Sequence, residues 1–259
     1  MTKSSKIKSY SELYIKRRKE TLLDFIDHYD YTAYEKATDI AIETHQKQLE
    51  EYIGIYEQVD KKIDNNYAKV GHYENEKHHY LISKLLFYEE KVNQNQAYLD
   101  SLYEMKVIYL YRSLELNINY LIETAYPTVN TKSLYRIDVI KSFFDHKEID
   151  ISKIEGYEEY QDLRKVTNCI KHNSKISSNV AKIPKFKKKE FLDSETLHEF
   201  YNRIKLKVQL FIRELKNEIK TDLFHFPKAR LNKLVKEYYE QMDEETYLRF
   251  IEKMKQKAT

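Results

Sequence analysis

An all-α protein is the fold class that the sequence predicts, and three observations support this prediction. Gly and Pro number only three each among 259 residues, so the chain has few residues that break helices or form tight turns. Charged residues make up 34% of the chain, and the apolar residues between them recur mainly at the spacing of a helix. Long β-rich segments bounded by Gly or Pro, which are typical of strands, are absent.

The composition also excludes several classes of protein. The single cysteine, Cys169, excludes an intramolecular disulfide framework and a cysteine-rich zinc site, and its place at the edge of an apolar helix face predicts a buried thiol. His78 and His79 diverge by about 100° on a helix, so we predict no metal, and without a phosphate-binding loop we predict no cofactor. No apolar run reaches the roughly 18 residues of a membrane span, and the first ten residues lack the apolar core of a signal peptide. We therefore expect a cytoplasmic protein with no membrane contact.

The first 100 residues are predicted to form an N-terminal helical arm. Apolar residues recur at helical spacing over 9–28 and again over 34–63. No Gly or Pro lies between Gly71 and Pro127, and one helix over that stretch would be about 80 Å long. We expect an interruption near Asn93–Gln96, where amide side chains compete for backbone hydrogen bonds. That interruption places the first domain boundary at residue 100.

Residues 101–220 are predicted to form an up-down helical bundle, and residues 221–259 a cap of two short helices. The bundle begins with a stripe of apolar residues that ends before Pro127, and a shorter helix follows over about Ser133 to His146. Asp193 or Ser194 suits the N-cap of the last bundle helix. The first stripe comprises Val107, Leu110, Leu114, Ile118, Leu121 and Ala125, and the last comprises Leu197, Phe200, Ile204, Val208, Phe211, Leu215 and Ile219. Pro227 ends the bundle, and the cap helices run over about 228–240 and, after Asp243, to 257.

The best candidate for chemistry is a column of polar side chains in the stretch EYQDLRKVTNCIKHNSKIS, residues 159–177. Leu163, Val166 and Ile170 form the core-facing stripe of this helix. Arg164, Asn168 and His172 are spaced i, i+4, i+8 on the other side, so the core does not need them. Asn173 and Ser174 suit a helix end, where the helix dipole favours a protonated His172.

A basic segment overlaps this column. Residues 164–189 contain nine Lys or Arg and no Asp or Glu, and no apolar periodicity runs through the second half, which indicates a loop. Such a loop suits a phosphate backbone, although a solvated lysine loop explains the same composition. The candidate RNA-binding residues are Lys171, Lys175, Lys182, Lys185, Lys187, Lys188 and Lys189.

The sequence of the central helix resembles that of HEPN domains, which are small all-helical modules. The resemblance rests on LRKVTNCIKHN, preceded by IDISKIEGYEEYQD, and on YRSLELNINYLIETAYP, which is similar to the opening HEPN helix with its Glu, here Glu115. The HEPN signature is an Arg and a His separated by four to six residues, the first of which is often a polar residue such as Asn. Asn168 and His172 match that pattern, whereas Thr167 precedes Asn168 and seven residues separate Arg164 from His172.

The resemblance implies a metal-independent endoribonuclease of a bacterial toxin or anti-phage defence system. In that case His172 handles the 2′-hydroxyl proton or protonates the leaving oxygen, Arg164 stabilises the phosphorane and Asn168 orients the imidazole or contacts phosphate, giving 2′,3′-cyclic phosphate ends. Glu115 is an accessory candidate. The family also implies a homodimer, an RNA substrate such as transfer RNA, and an antitoxin or defence partner. Other HEPN modules lack the chemistry and bind RNA or a protein, and this alternative stays open.

Overall fold

The fold is all-α, as predicted. The computed structural model describes residues 17–26, 32–70, 76–131, 134, 136–172 and 174–258. Helix α1 is described over 17–25, and the other helices are α2 (Thr32–Val70), α3 (Glu76–Ala125), α4 (Ile137–Asp145), α5 (Tyr157–Lys171), α6 (Ser194–Phe224), α7 (Lys228–Gln241) and α8 (Glu244–Ala258). No β-strand occurs in these ranges, where Lys175 and Phe191 form an isolated antiparallel bridge.

The predicted interruption near Asn93–Gln96 is wrong, because α3 continues without a break for 50 residues. Asn95 is buried, and its amide donates to the Lys91 carbonyl oxygen at 3.0 Å while its oxygen lies 2.9 Å from His45 Nδ1. The amide of Gln96 lies 2.9 Å from Ser194 Oγ. These amides are bonded one turn away or to other helices, so they do not compete with the backbone of α3.

The chain forms two compact units that are each built from separated segments. Unit 1 takes its described residues from Met1–His28, Leu116–Glu155 and Leu210–Thr259, and unit 2 takes its residues from Tyr29–Glu115 and Gly156–Gln209. Helices α3 and α6 contribute to both units. The predicted division into 1–100, 101–220 and 221–259 relied in part on an interruption of α3 that does not occur. The division itself stays a prediction.

Unit 2 packs α2, the first part of α3, α5 and the first part of α6. Lys106 of α3 is 5% exposed, lies 2.5 Å from Asp39 of α2, and stands 4.5 Å from the ring centre of Tyr201 on α6. The hydroxyl of Tyr201 donates to Glu35 of α2 at 2.8 Å. Asp193 caps α6 as predicted, since its carboxylate accepts from the N–H of Thr196 at 2.8 Å. Buried polar contacts therefore add to the apolar core of this unit.

Unit 1 holds the remaining helices. Tyr126, just after α3, donates to Asp222 of α6 at 2.7 Å, and the same carboxylate pairs with Arg230 of α7 at 2.7 Å. Helix α4 begins at Ile137, later than predicted; Ser133 lies outside the described residues. Pro227 precedes α7 and Asp243 caps α8, as predicted, but α7 buries no residue, so it does not cover a core. None of the described helices is long and apolar enough to cross a membrane.

The apolar stripes predicted for α3 and α6 are confirmed, whereas the pattern predicted over 34–63 fails in part, because Ile40 and Ile53 are 68% and 40% exposed. Every member of the α3 stripe and of the α6 stripe is buried. The pattern fails in α1, where Leu23 is buried while Leu22 and Phe25 are 47% and 65% exposed. Tyr10, Leu13 and Tyr14, which begin that pattern, lie outside the described residues.

Candidate functional site

Helix α5 has the two faces that the sequence predicts. Leu163, Val166 and Ile170 are buried, at 0%, 0% and 8% exposure. On the other side Arg164 is half-buried, whereas Asn168 and His172 are exposed. The column therefore lies outside the core, where its polar groups can meet a ligand.

The end of α5 lies at the predicted place. The helix ends at Lys171, and the N–H of His172, its C-cap, donates to the Cys169 carbonyl oxygen at 3.1 Å. The N–H of Ser174 donates to the same oxygen at 3.1 Å, and Ser174 adopts a positive φ of 56°. Asn173 lies outside the described residues. This termination holds the backbone of His172 at the carbonyl end of α5.

Arg164 lies in a cluster with Tyr111 and Glu115 of α3. Tyr111 is buried, and burial raises the pKa of its phenol to about 12; the neighbouring Glu115 carboxylate adds to this rise, and the Arg164 guanidinium opposes it. The ammonium of Lys171 lies 5.8 Å from the centre of the Tyr111 ring. Glu115 also lies 3.6 Å from Arg112. Arg164 is thus oriented by α3, and Glu115 is a part of the same cluster.

The burial of position 167 explains why the Arg of the column lies at position 164 and not directly before Asn168. Thr167 is completely buried, at 0% exposure, so a side chain at the position before Asn168 points into the core. An Arg there would place its charge among apolar side chains. Position 164 instead lies at the half-exposed edge of α5. Because eight positions separate it from His172, the two residues stand about 12 Å apart along the helix axis.

The basic segment after α5 forms a loop, as predicted, and three apolar side chains anchor it. Val180, Ile183 and Phe186 are 0%, 3% and 0% exposed, and the Phe186 ring lies 5.3 Å from that of Phe200 on α6. Residues Pro184–Phe186 form one short 3₁₀ turn. The loop therefore has a fixed position in unit 2.

Backbone pairing returns the end of this loop to α5. The N–H of Leu192 donates to the Ser174 oxygen at 3.0 Å, and the N–H of Ile176 donates to the Glu190 oxygen at 2.8 Å. The thiol of Cys169, buried as predicted, donates to the Lys175 oxygen at 3.0 Å. These contacts hold the basic loop beside the carbonyl end of α5, next to His172.

All seven predicted RNA-binding lysines are exposed, but their charges are not equally available. Lys185 pairs with Glu199 at 2.6 Å, and Lys189 pairs with Asp193 at 2.7 Å. Lys182, Lys187 and Lys188 have no ion pair with any described residue. These last three lysines are the most available cations of the loop.

Two residues of the site were not predicted. Tyr111 lies on an apolar stripe of α3, and it joins the site only through its contact with Arg164 of α5, which follows much later in the chain. Phe191 is 53% exposed beside the lysines; the only signal in the sequence is an apolar residue next to a run of lysines.

Other candidate sites are weaker. In the parts of the chain that the structure describes, no group of three or more His, Cys, Asp or Glu side chains is arranged to hold a metal ion. One surface pocket is lined by 149–150, 153–155, Glu214 and Glu218 of unit 1, and another by residues of α3 between Leu86 and Ala97. Neither includes Arg164 or His172.

No family model, curated protein or solved structure matches this chain. Fold and site define an all-α protein with a basic loop anchored at the end of one helix.

Proposed function

We propose that this chain binds RNA through the basic surface formed by the end of α5 and the lysine loop. The observation that carries the proposal is the fixed loop with Lys182, Lys187 and Lys188 exposed and without ion pairs among the described residues. Lys171, Lys175 and His172 extend this surface along α5. A phosphate backbone matches such a row of cations because each neutralised phosphate releases counterions.

The test is RNA binding by fluorescence anisotropy over a range of salt concentrations. Replacing Lys182, Lys187 and Lys188 together by Gln should weaken binding and reduce the salt slope by about 2, at roughly 0.7 per phosphate contact on a single strand.

A matched control removes three positive charges elsewhere in unit 2. Lys61, Lys62 and Lys77 are exposed on α2 and α3, and their replacement by Gln should leave the salt slope almost unchanged. If the two triple variants lose equal affinity, binding reflects total charge and the proposed surface is wrong.

A second candidate function is metal-independent RNA cleavage of the HEPN type. Its support is the position of Arg164, Asn168 and His172 outside the core of α5, with Arg164 oriented by Tyr111. In this function His172 moves a proton at the 2′-hydroxyl or the leaving oxygen, and Arg164 stabilises charge on the phosphorane. The products carry 2′,3′-cyclic phosphate ends, and such an enzyme suits a toxin or an anti-phage defence system.

Cleavage is tested by comparing wild type, His172→Ala and Arg164→Ala on cellular RNA, transfer RNA included, with EDTA present. We expect cyclic-phosphate ends from the wild type alone, and growth inhibition from the wild type alone. If all three proteins leave RNA intact and cells unaffected, the cleavage function is wrong, and the anisotropy assay decides whether the chain binds RNA.

The proposed homodimer permits a sharper form of this test. Because about 12 Å separate Arg164 and His172 along α5, two copies can complete a site in which Arg164 comes from one and His172 from the other. Mixing Arg164→Ala with His172→Ala should then restore cleavage, whereas a site built within one chain stays inactive. Light scattering should give a mass twice the 31.5 kDa of one chain, and a monomeric mass would refute the dimer. Co-purification from cells tests for the proposed antitoxin or defence partner.

A further inference from the structure

The pairing at the end of the lysine loop turns one aromatic ring outward. Leu192 is 6% exposed while Phe191 is 53% exposed, as expected where successive side chains of an extended segment point to opposite sides. Burying Leu192 therefore leaves Phe191 facing solvent. Packing within the described part of the chain leaves more than half of the Phe191 surface uncovered and available to a ligand.

The same pairing places a lysine beside the ring. Lys175 and Phe191 stand directly opposite each other, and the hydrogen bonds run through the flanking residues, from Leu192 to Ser174 and from Ile176 to Glu190. In such a pair the two side chains lie on one face, with Cβ atoms about 4.5–5.5 Å apart. The ring and the ammonium therefore project to the same side, and Lys175 follows His172 by only three residues in the chain.

We propose that Phe191 and Lys175 form a binding site for one unpaired nucleotide, so that the chain recognises single-stranded RNA. The base stacks on the Phe191 ring and the adjacent phosphate contacts the Lys175 ammonium. Stacking needs the face of a base, which a duplex keeps covered, whereas a row of lysines alone binds both forms. This inference rests on the proposed RNA binding and adds to it the strandedness of the RNA.

The basic surface continues from this site in both directions. Lys171 and His172 precede Lys175 at the end of α5, and Lys187 and Lys188 lie shortly before Phe191 in the loop. A strand that stacks one base on Phe191 can therefore place its neighbouring phosphates on cations to either side.

The experiment compares a labelled oligouridylate of about 12 nucleotides with an RNA duplex of equal length, at one salt concentration. Phe191→Ala should weaken binding of the single strand at least about fivefold, the lower limit for loss of one stacked base, and leave duplex binding unchanged. Phe191→Trp should restore single-strand binding because its ring is larger, and Phe191→Leu should not because it has no ring. Tyr80→Ala removes an aromatic residue of 65% exposure on α3 and should change neither affinity.

The outcomes separate this inference from the function on which it rests. If the wild type binds neither RNA, the proposed function and this site both fail. If the wild type binds RNA but Phe191→Ala has no effect, or weakens strand and duplex equally, only the nucleotide site fails. Full binding by Phe191→Leu would show an apolar contact in place of stacking and would also overturn it.

Discussion

The anchor of the basic loop can be tested by replacing Phe186 with Ala. Phe186 is completely buried and packs against Phe200 with 5.3 Å between ring centres. Truncating a buried Phe to Ala costs about 3–5 kcal/mol, from lost burial and the cavity that remains. For a chain of this size each kcal/mol lowers the Tm by about 2–4 °C, so we expect a decrease of about 6–20 °C. Thermal unfolding followed by circular dichroism measures it.

The same variant should weaken RNA binding, because the loop loses the contact that fixes its position. Trypsin should then cut at Lys182, Lys187 or Lys188 faster than in the wild type. Phe191→Ala is the matched control for stability and trypsin resistance, since it makes the same substitution at an exposed Phe of the same loop and should change stability by no more than about 0.5 kcal/mol. For RNA binding the control is Tyr80→Ala, because Phe191 belongs to the proposed nucleotide site. A Phe186→Ala protein that melts within 2 °C of the wild type, with its loop still resistant to trypsin, would refute this account of the loop.

Three further predictions concern the buried polar groups of unit 2. Asp39→Ala should cost about 1–3 kcal/mol because it removes a charged hydrogen-bond partner from the buried Lys106 ammonium. Lys106→Met should cost less, under about 1.5 kcal/mol, because the half-exposed Asp39 is then solvated. Urea unfolding of both variants compares the costs, and equal costs would contradict the reasoning. Asn95→Ala should cost about 1–3 kcal/mol, since it leaves His45 without its bond to the Asn95 oxygen, and an unchanged midpoint in the same assay would show that this bond contributes nothing. Folding raises the pKa of Tyr111 from its ordinary value of 10.0 to about 12. The folded state is therefore fully stable below pH 10 and loses up to about 3 kcal/mol of stability as the pH rises from 10 to 12. Tyr111→Phe should therefore lose less stability than the wild type between pH 10 and 12 in thermal melts, and parallel curves would refute this.

A helix could be predicted from the sequence where the apolar residues of one face are sufficient to define it. The stripes of α3, α5 and α6 are confirmed because apolar spacing at 3.6 residues per turn is a local signal. The continuity of α3 could not be predicted, since Asn95 bonds to His45 and Gln96 to Ser194, partners 50 and 98 positions away. An amide with such a partner stabilises the helix that it would otherwise weaken.

The candidate site divides in the same way. The column of Arg164, Asn168 and His172 follows from spacing on one helix, and the position of each side chain agrees with it. The neighbours of the column come from tertiary contacts: Tyr111 reaches Arg164 from α3, and Phe191 returns to Lys175 by backbone pairing. The loop anchors are spaced three residues apart on successive tight turns, so they do not show the longer 3.6-residue repeat from which a helix is predicted.

The charges of the loop argue for binding because folding gains little from them. Lys182, Lys187 and Lys188 have no ion pair with a described residue. Lys187 and Lys188 are also neighbours in the chain, and a pair of nearby like charges destabilises by about 0.2–0.5 kcal/mol. Replacing all three by Gln should therefore leave the Tm unchanged or raise it by up to about 2 °C, while RNA binding falls. The triple Gln variant of Lys61, Lys62 and Lys77 gives the baseline for removing three charges. If the loop variant is the less stable protein, these lysines support the fold, and their exposure is no argument for a nucleic-acid surface.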